Sequence, residues 1–245
     1  MTLMQQQPDR PDAIAATWLG GVDYGTAWAA QAELFDARRV GAVGDRLLLL
    51  EHPPTYTLGR RTSRADLLYD DAARAARSIS LYEVDRGGRA TYHGPGQLVG
   101  YPIISLGERY DVIAYVRKLE EVLIRTAADL GVDAHRDRHT GVWVGNDKLA
   151  AIGVKITRGI TMHGFALNVT TDLAMFAGIV PCGLSDRGVT SVEAVTGRSH
   201  SVRTAARIAA HHAGIIFGRS VVWTAPQDVG APSLGPASLK SSTIA

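Results

Sequence analysis

The run Arg86-Gly87-Gly88-Arg89-Ala90-Thr91-Tyr92-His93-Gly94-Pro95-Gly96-Gln97 sets four glycines, a proline, two arginines and a histidine between two apolar, strand-like segments. A loop that only joins two strands does not need this much backbone freedom, so the stretch points to a fold in which irregular main chain lines a site. Gly87-Gly88, between Val84-Asp85-Arg86 and Arg89-Ala90-Thr91, has the form of a two-residue hairpin whose primed turn requires positive φ. Gly94-Pro95-Gly96 then lets backbone approach whatever lies beside His93. Neither familiar phosphate motif fits. Gly94-x-Gly96-x-x-x-Gly100 misses the dinucleotide fingerprint by one residue and runs into Leu98–Ile104, a strand pattern where a helix should begin. No Gly-Lys-Ser/Thr occurs anywhere. On these residues alone, a packed hairpin with an irregular turn is as good a reading as a ligand loop.

With 245 residues, 46% hydrophobic and 20% charged, the chain can bury a large core, and a single domain is expected. A net charge of +2 gives no argument for nucleic acid, and the absence of a run of twenty apolar residues gives none for a membrane span. Residues 1–12 lack the basic start and apolar middle of a secretory signal and read as a flexible N-terminus. One cysteine rules out an internal disulfide framework and fits a reducing compartment, so a cytoplasmic location is expected. Residues 13–223 form the expected domain. Residues 224–245, with Pro226, Gly230, Pro232, Gly235 and Pro236, read as a disordered tail.

Helical spacing of Ala27, Ala30, Leu34 and Ala37 predicts a helix between Asp23 and Arg39, and Arg46–Glu51 reads as a short buried strand. Thr55–Gly59 resumes extended structure, and Arg60, Arg61 and Arg64 read as a solvated basic turn. Val112, Val116, Leu119, Leu123 and Leu130 make the clearest helix, capped by Asp111 and stopped by Gly131. Val142–Val144, Lys148–Thr157 and Ile160–Val169 predict a three-strand meander. Val202–Phe217 reads as a second amphipathic helix. Its adjacent His211 and His212 diverge by about 100° and are taken as surface residues. No His/Cys/Asp cluster has metal-ligand spacing, so no metal is expected.

Three residues carry candidate chemistry. Cys182 lies in Val180-Pro181-Cys182-Gly183-Leu184, a Pro/Gly-framed turn whose free backbone N–H groups could stabilise a thiolate or an oxyanion, although a lone cysteine is more often a small buried hydrophobe than a nucleophile. Strict alternation puts Lys148 at the head of the face bearing Ala150, Ile152, Val154 and Ile156, where an amine withdrawn from water is a candidate base; a lysine snorkelling at a strand end is the alternative. By the same rule His163 shares a core-facing row with Phe165, Leu167 and Val169, as a wall residue or simply as a hydrogen-bonded core histidine.

Taken in order, Arg86–Leu98, Lys148-Leu149-Ala150-Ala151-Ile152-Gly153, His163-Gly164-Phe165-Ala166-Leu167-Asn168-Val169 and Pro181-Cys182-Gly183-Leu184, with His52-Pro53-Pro54-Thr55-Tyr56-Thr57-Leu58-Gly59 ahead of them, closely resemble the lipoyl(octanoyl) transferase family over about residues 20–220. The resemblance implies an α/β fold like that of the biotin and lipoate-protein ligases, with a mixed sheet flanked by helices. It implies an acyltransferase moving octanoyl from acyl carrier protein to a lysine of a lipoyl domain, in the 2-oxoacid dehydrogenase complexes and glycine cleavage H protein. Carried over by position, it makes Cys182 the nucleophile and Lys148 its activator. Arg86, Gly87, Gly88, Arg89, Ala90, Thr91, Tyr92, His93, Ala151, Ile152, Gly153, His163, Gly164 and Phe165 become the walls of the acyl site. No cofactor, nucleic acid or membrane is implied. The rival readings are an ATP-dependent lipoate or biotin ligase on the same fold and a non-catalytic fatty-acyl binding module.

Overall fold

The computed structural model describes residues 13–180 and 187–234. Its centre is a mixed sheet formed by β1 (Ala13–Gly21), β2 (Asp45–Glu51), β6 (Gln97–Ile103), β8 (Val142–Val144), β9 (Asp147–Thr157), β10 (Ile160–Asn168), β7 (His135–Arg136) and β11 (Ser220–Trp223). The described strands are ordered β11-β1-β2-β6-β10-β9-β8-β7. The first three run parallel and the rest pair antiparallel. A smaller sheet sets β3 (Thr55–Leu58) between β4 (Ser80–Glu83) and β5 (Ala90–His93).

Strand β2 shows why helices cover both faces of the large sheet. Leu47 and Leu49 pack into the cluster that holds α3 (Val112–Asp129) and α5 (Val202–Phe217), while Leu48 and Leu50 pack against α1 (Tyr24–Arg39). A strand apolar on both sides must be buried on both sides, as its unbroken leucine run predicts. The helix ends follow their capping residues: Asp23 accepts from the Thr26 N–H at 3.1 Å, and Asp111 from Ile113 and Ala114 at 2.7 and 3.1 Å. Two short helices, α2 (Asp71–Ala75) and α4 (Val192–Thr196), complete the described α-helices.

The predicted meander is present as β8, β9 and β10. Three expectations are corrected. Gly87-Gly88 does not turn a hairpin, because β3 lies between β4 and β5 and pairs with each. The loop instead crosses to the large sheet, where the Gly87 N–H donates to the Val154 carbonyl at 3.0 Å. His212 is buried, not superficial, and its Nε2 donates to Asp129 at 2.8 Å, whereas His211 is exposed. The stretch 224–234 is not a loose tail: Val229, Ala231 and Leu234 are buried in the α1 cluster, and Glu33 of α1 accepts from Ser233 at 3.0 and 3.1 Å. No helix among the described residues is long and apolar enough to cross a membrane.

Candidate active site

A cleft of about 470 Å³, its open mouth included, lies where the small sheet meets β9 and β10. The loop after β4 supplies Arg86, Gly88 and Arg89, and β5 supplies Ala90, Thr91 and His93. Ala151, Ile152 and Gly153 come from β9, and His163, Gly164, Phe165 and Ala166 from β10. Every wall residue expected from sequence is there except two. Gly87 sits behind the wall with its N–H spent on β9. Tyr92 alternates away from Thr91 and His93 into the small-sheet cluster, its ring edge-on to Tyr56 and Phe176 at 5.9 and 5.3 Å. Gly88 holds φ +93°, which only glycine adopts freely.

A second space of about 280 Å³, open solvent included, has Thr91, Ala151 and Ala166 in common with the walls of the first. Lys148, Gln97, Asn168 and Val189 line its far part. Lys148 reaches it through a β-bulge. Val142 pairs with Ala150 but Trp143 pairs with Lys148, so Leu149 is an extra residue on β9. Leu149 and Ala150 both enter the α3/α5 core, with Ile152, Val154 and Ile156 packed against it. Lys148 is thereby turned to the opposite face, among the chamber residues. The expected alternation of Lys148 with Ile152 and Val154 is thus corrected. Its side chain is 6% exposed, and its Nζ donates to the Thr140 carbonyl at 3.3 Å.

His163 breaks alternation as well. It is one of the few non-glycine residues with positive φ, +56°, and this turns its ring away from Phe165, Leu167 and Val169 toward α1. The ring lies 6.4 Å from that of Trp28, its backbone N–H donates to Gln31 Oε1 at 2.7 Å, and its Nε2–H donates to Asp85 at 2.8 Å. Asp85 also takes Lys155 Nζ at 2.5 Å. Burial opposes ionisation of the Asp85 carboxyl, but these two donors prevail and hold it below the usual carboxylate range. Burial pushes the His163 imidazole down despite that carboxylate.

Behind the cleft runs a buried polar network. Arg86 Nη2 donates to the Thr57 carbonyl and hydroxyl at 3.0 and 2.8 Å. The Gln97 amide donates to Tyr92 O and Asn168 Oδ1, so its own Oε1 must accept from His93 Nδ1, at 2.9 Å. Asn168 Nδ2 passes the chain on to the Thr190 carbonyl at 2.9 Å. His52 donates from Nδ1 to Val22 O and accepts from the Tyr101 hydroxyl, both at 2.7 Å. Complete burial drops its basicity to about 4, and pushes His93 well below the ordinary value. Tyr24, pushed up to about 12 by burial, closes the cleft together with Tyr101.

Cys182 lies outside the described residues. The chain after residue 186 is tied to the site, since Gly188 and Thr190 bracket the Lys148 backbone with two 3.0 Å hydrogen bonds; before residue 181 the Val180 N–H donates to Asp66 O at 2.8 Å. Sequence reasoning missed Tyr24, Tyr101, Asp85, Gln97 and Asn168. The last two stand inside the motifs quoted above as amides in apolar strands, which is a signal that each is paired; Tyr24 and Tyr101 carry no such signal.

The architecture defines a fold class, that of the lipoate- and biotin-protein ligase structures. It superposes on lipoate-protein ligase A bound with ATP (TM-score 0.72, 17% identity, 88% of this chain and 90% of that one) and on the bipartite lipoate protein ligase of Thermoplasma acidophilum (TM-score 0.72, 18% identity, 88% of each). The biotin protein ligase of Aquifex aeolicus shares the fold more distantly (TM-score 0.51, 13% identity, 83% of this chain and 70% of that one). Within that class the sequence decides: residues 23–213 match the lipoyl protein ligase A/B catalytic domain, and the chain belongs to that family. Its similar proteins include the octanoyltransferase of Koribacter versatilis, 49% identical over 212 residues and 84% of each chain. The octanoyltransferase of Mycobacterium tuberculosis is 53% identical over 194 residues, 78% of this chain and 81% of the other.

Proposed function

We propose that the protein is a cytoplasmic octanoyltransferase that takes octanoyl from acyl carrier protein onto Cys182 and passes it to a lysine of a lipoyl domain. The observation that carries this reading is the bulge at Leu149, which turns a buried lysine into a chamber that shares wall residues with the cleft and is bordered by Val189, in the chain that follows Cys182. In the first half-reaction Lys148, as the neutral amine, takes the Cys182 proton. The thiolate attacks the donor thioester carbonyl, a new C–S bond forms, and the carrier's thiolate leaves with the proton that Lys148 returns. In the second the acceptor amine attacks the Cys182 thioester, an amide forms, and the Cys182 sulfur departs while Lys148 relays the amine's proton to it. Thioester exchange followed by amide formation runs downhill, so no nucleotide is needed.

The acyl chain is assigned to the cleft between the small sheet and β9–β10, where burial is worth about 0.8 kcal/mol per methylene. Donor and acceptor are both proteins, and a covalent relay lets each dock in turn. Intact mass after incubation with octanoyl carrier protein, in nucleotide-free buffer, tests this. One hydroxylamine-sensitive octanoyl group should appear and should be discharged by unmodified lipoyl domain; folded Cys182→Ala should take up none. Uptake by Cys182→Ala would place the acyl group elsewhere, and a requirement for ATP with free octanoate would make the protein a ligase.

A further inference from the structure

Lys148 is not held by its own strand alone. Its Nζ lies 4.6 Å from the centre of the Trp143 ring, and the Arg187 guanidinium lies 4.8 Å from the centre of that same ring. Trp143 is 1% exposed, and its indole N–H donates to the His139 carbonyl at 3.0 Å, which fixes the ring plane. Arg187 pairs with Asp137 at 3.1 Å, and Lys148 donates to Thr140. Asp137, His139 and Thr140 belong to one turn, and that turn is tied to α3 through Glu120, which is fully buried and accepts from the Gly141 N–H at 3.2 Å. Once Lys148 has taken up the Cys182 proton, its ammonium and the Arg187 guanidinium are two cations on one ring, and they repel each other. The π face offsets that repulsion while fixing both cations in space.

We propose that Trp143 is a positioning residue for acyl transfer, its ring holding the Lys148 amine and, through Arg187, the chain immediately C-terminal to residues 181–186. The inference rests on the role given above to Lys148. Misplacing a proton-transfer group lowers turnover without loosening donor binding, so the effect belongs in kcat rather than KM.

The test measures steady-state transfer of octanoyl from carrier protein to lipoyl domain, with loading followed by intact mass, for wild type, Lys148→Arg, Trp143→Leu, Trp143→Phe, Arg187→Met and the Trp143→Leu/Arg187→Met double variant, with a melting curve for each. In Trp143→Leu, kcat should fall about tenfold, within the roughly 2- to 30-fold that one cation–π contact is worth, with KM unchanged. Trp143→Phe keeps an aromatic face but not the indole N–H, and should recover most of the loss. Arg187→Met should slow wild type, and should add little in the Trp143→Leu background, because both changes break the same arrangement. Trp143→Phe as slow as Trp143→Leu, Arg187→Met at wild-type kcat, or full additivity in the double variant would each overturn the proposal. Should Trp143→Leu fail to fold, Trp143→Phe and Arg187→Met on their own decide it: a normal kcat in Arg187→Met overturns it. Normal loading by Lys148→Arg removes the role of Lys148 itself, and this inference goes with it, whereas a silent Lys148→Arg beside an unaffected Trp143→Leu defeats only the inference.

Discussion

Lys148 and His163 both stand where strand alternation is broken, one by the extra residue Leu149 and the other by its own positive φ. Alternation from sequence assigned both to the wrong face, because a bulge and a left-handed residue leave no mark in an apolar pattern. The residue types were legible and their directions were not. Lys148→Arg keeps a cation but cannot serve as a neutral amine near pH 7, so loading of octanoyl should fall by about 10²–10⁴-fold in a folded protein; near-normal turnover would leave Lys148 only a charge-stabilising role. His52 yields a second expectation. Its folded basicity, near 4, lies below the ordinary 6.5, so the neutral form is favoured by folding. That stability is fully present above about pH 6.5 and is lost as pH falls toward 4, by about 3 kcal/mol for this one group. His93 and His163, shifted the same way, add to the loss. Urea melts between pH 7.5 and 4.5 should show it, and His52→Gln should flatten the slope; equal slopes for the two proteins would refute the assignment.

Elements with strong local signals were readable: α3 and α5 from their apolar stripes and caps, and β8, β9 and β10 from short turns. Elements defined by distant partners were not. Nothing in residues 13–22 announces β1, and β11 is a four-residue edge strand that pairs with it from the far end of the chain. Gly87-Gly88 resembles a hairpin locally and fails to be one because β3, some thirty residues earlier, takes the place between its arms. Glycine in β10 illustrates a constraint of the same non-local kind. A Cβ on Gly164 would press on the Gly100 carbonyl and on Pro102, neither of which can swing aside as a side-chain tip would. Gly164→Ala should therefore destabilise by about 1–3 kcal/mol in denaturant unfolding; an unchanged midpoint would mean that β6 and β10 yield to each other more easily than their packing suggests.

At the scale of the molecule, the last described residues belong to the domain. Val229 and Leu234, each 1% exposed, close the α1 side of the large sheet. A chain ending at Trp223 should be less stable than one ending at Leu234 by about 3–6 kcal/mol, the worth of two buried aliphatic side chains; equal melting temperatures would show the packing to be idle. The cleft itself has a consequence for how such an enzyme can change over evolutionary time. Bulk cannot be added at Gly164, and at Gly153 a new Cβ would meet Arg86 and the Gly87 carbonyl. One wall of the cleft is thus closed to drift, and a lineage adapting it to a longer or shorter ligand is steered to the aromatic side. There the Tyr101 hydroxyl is shared with His52 and the Tyr24 ring lies 5.0 Å from that of His52, so any revision of ligand length also disturbs a buried polar network.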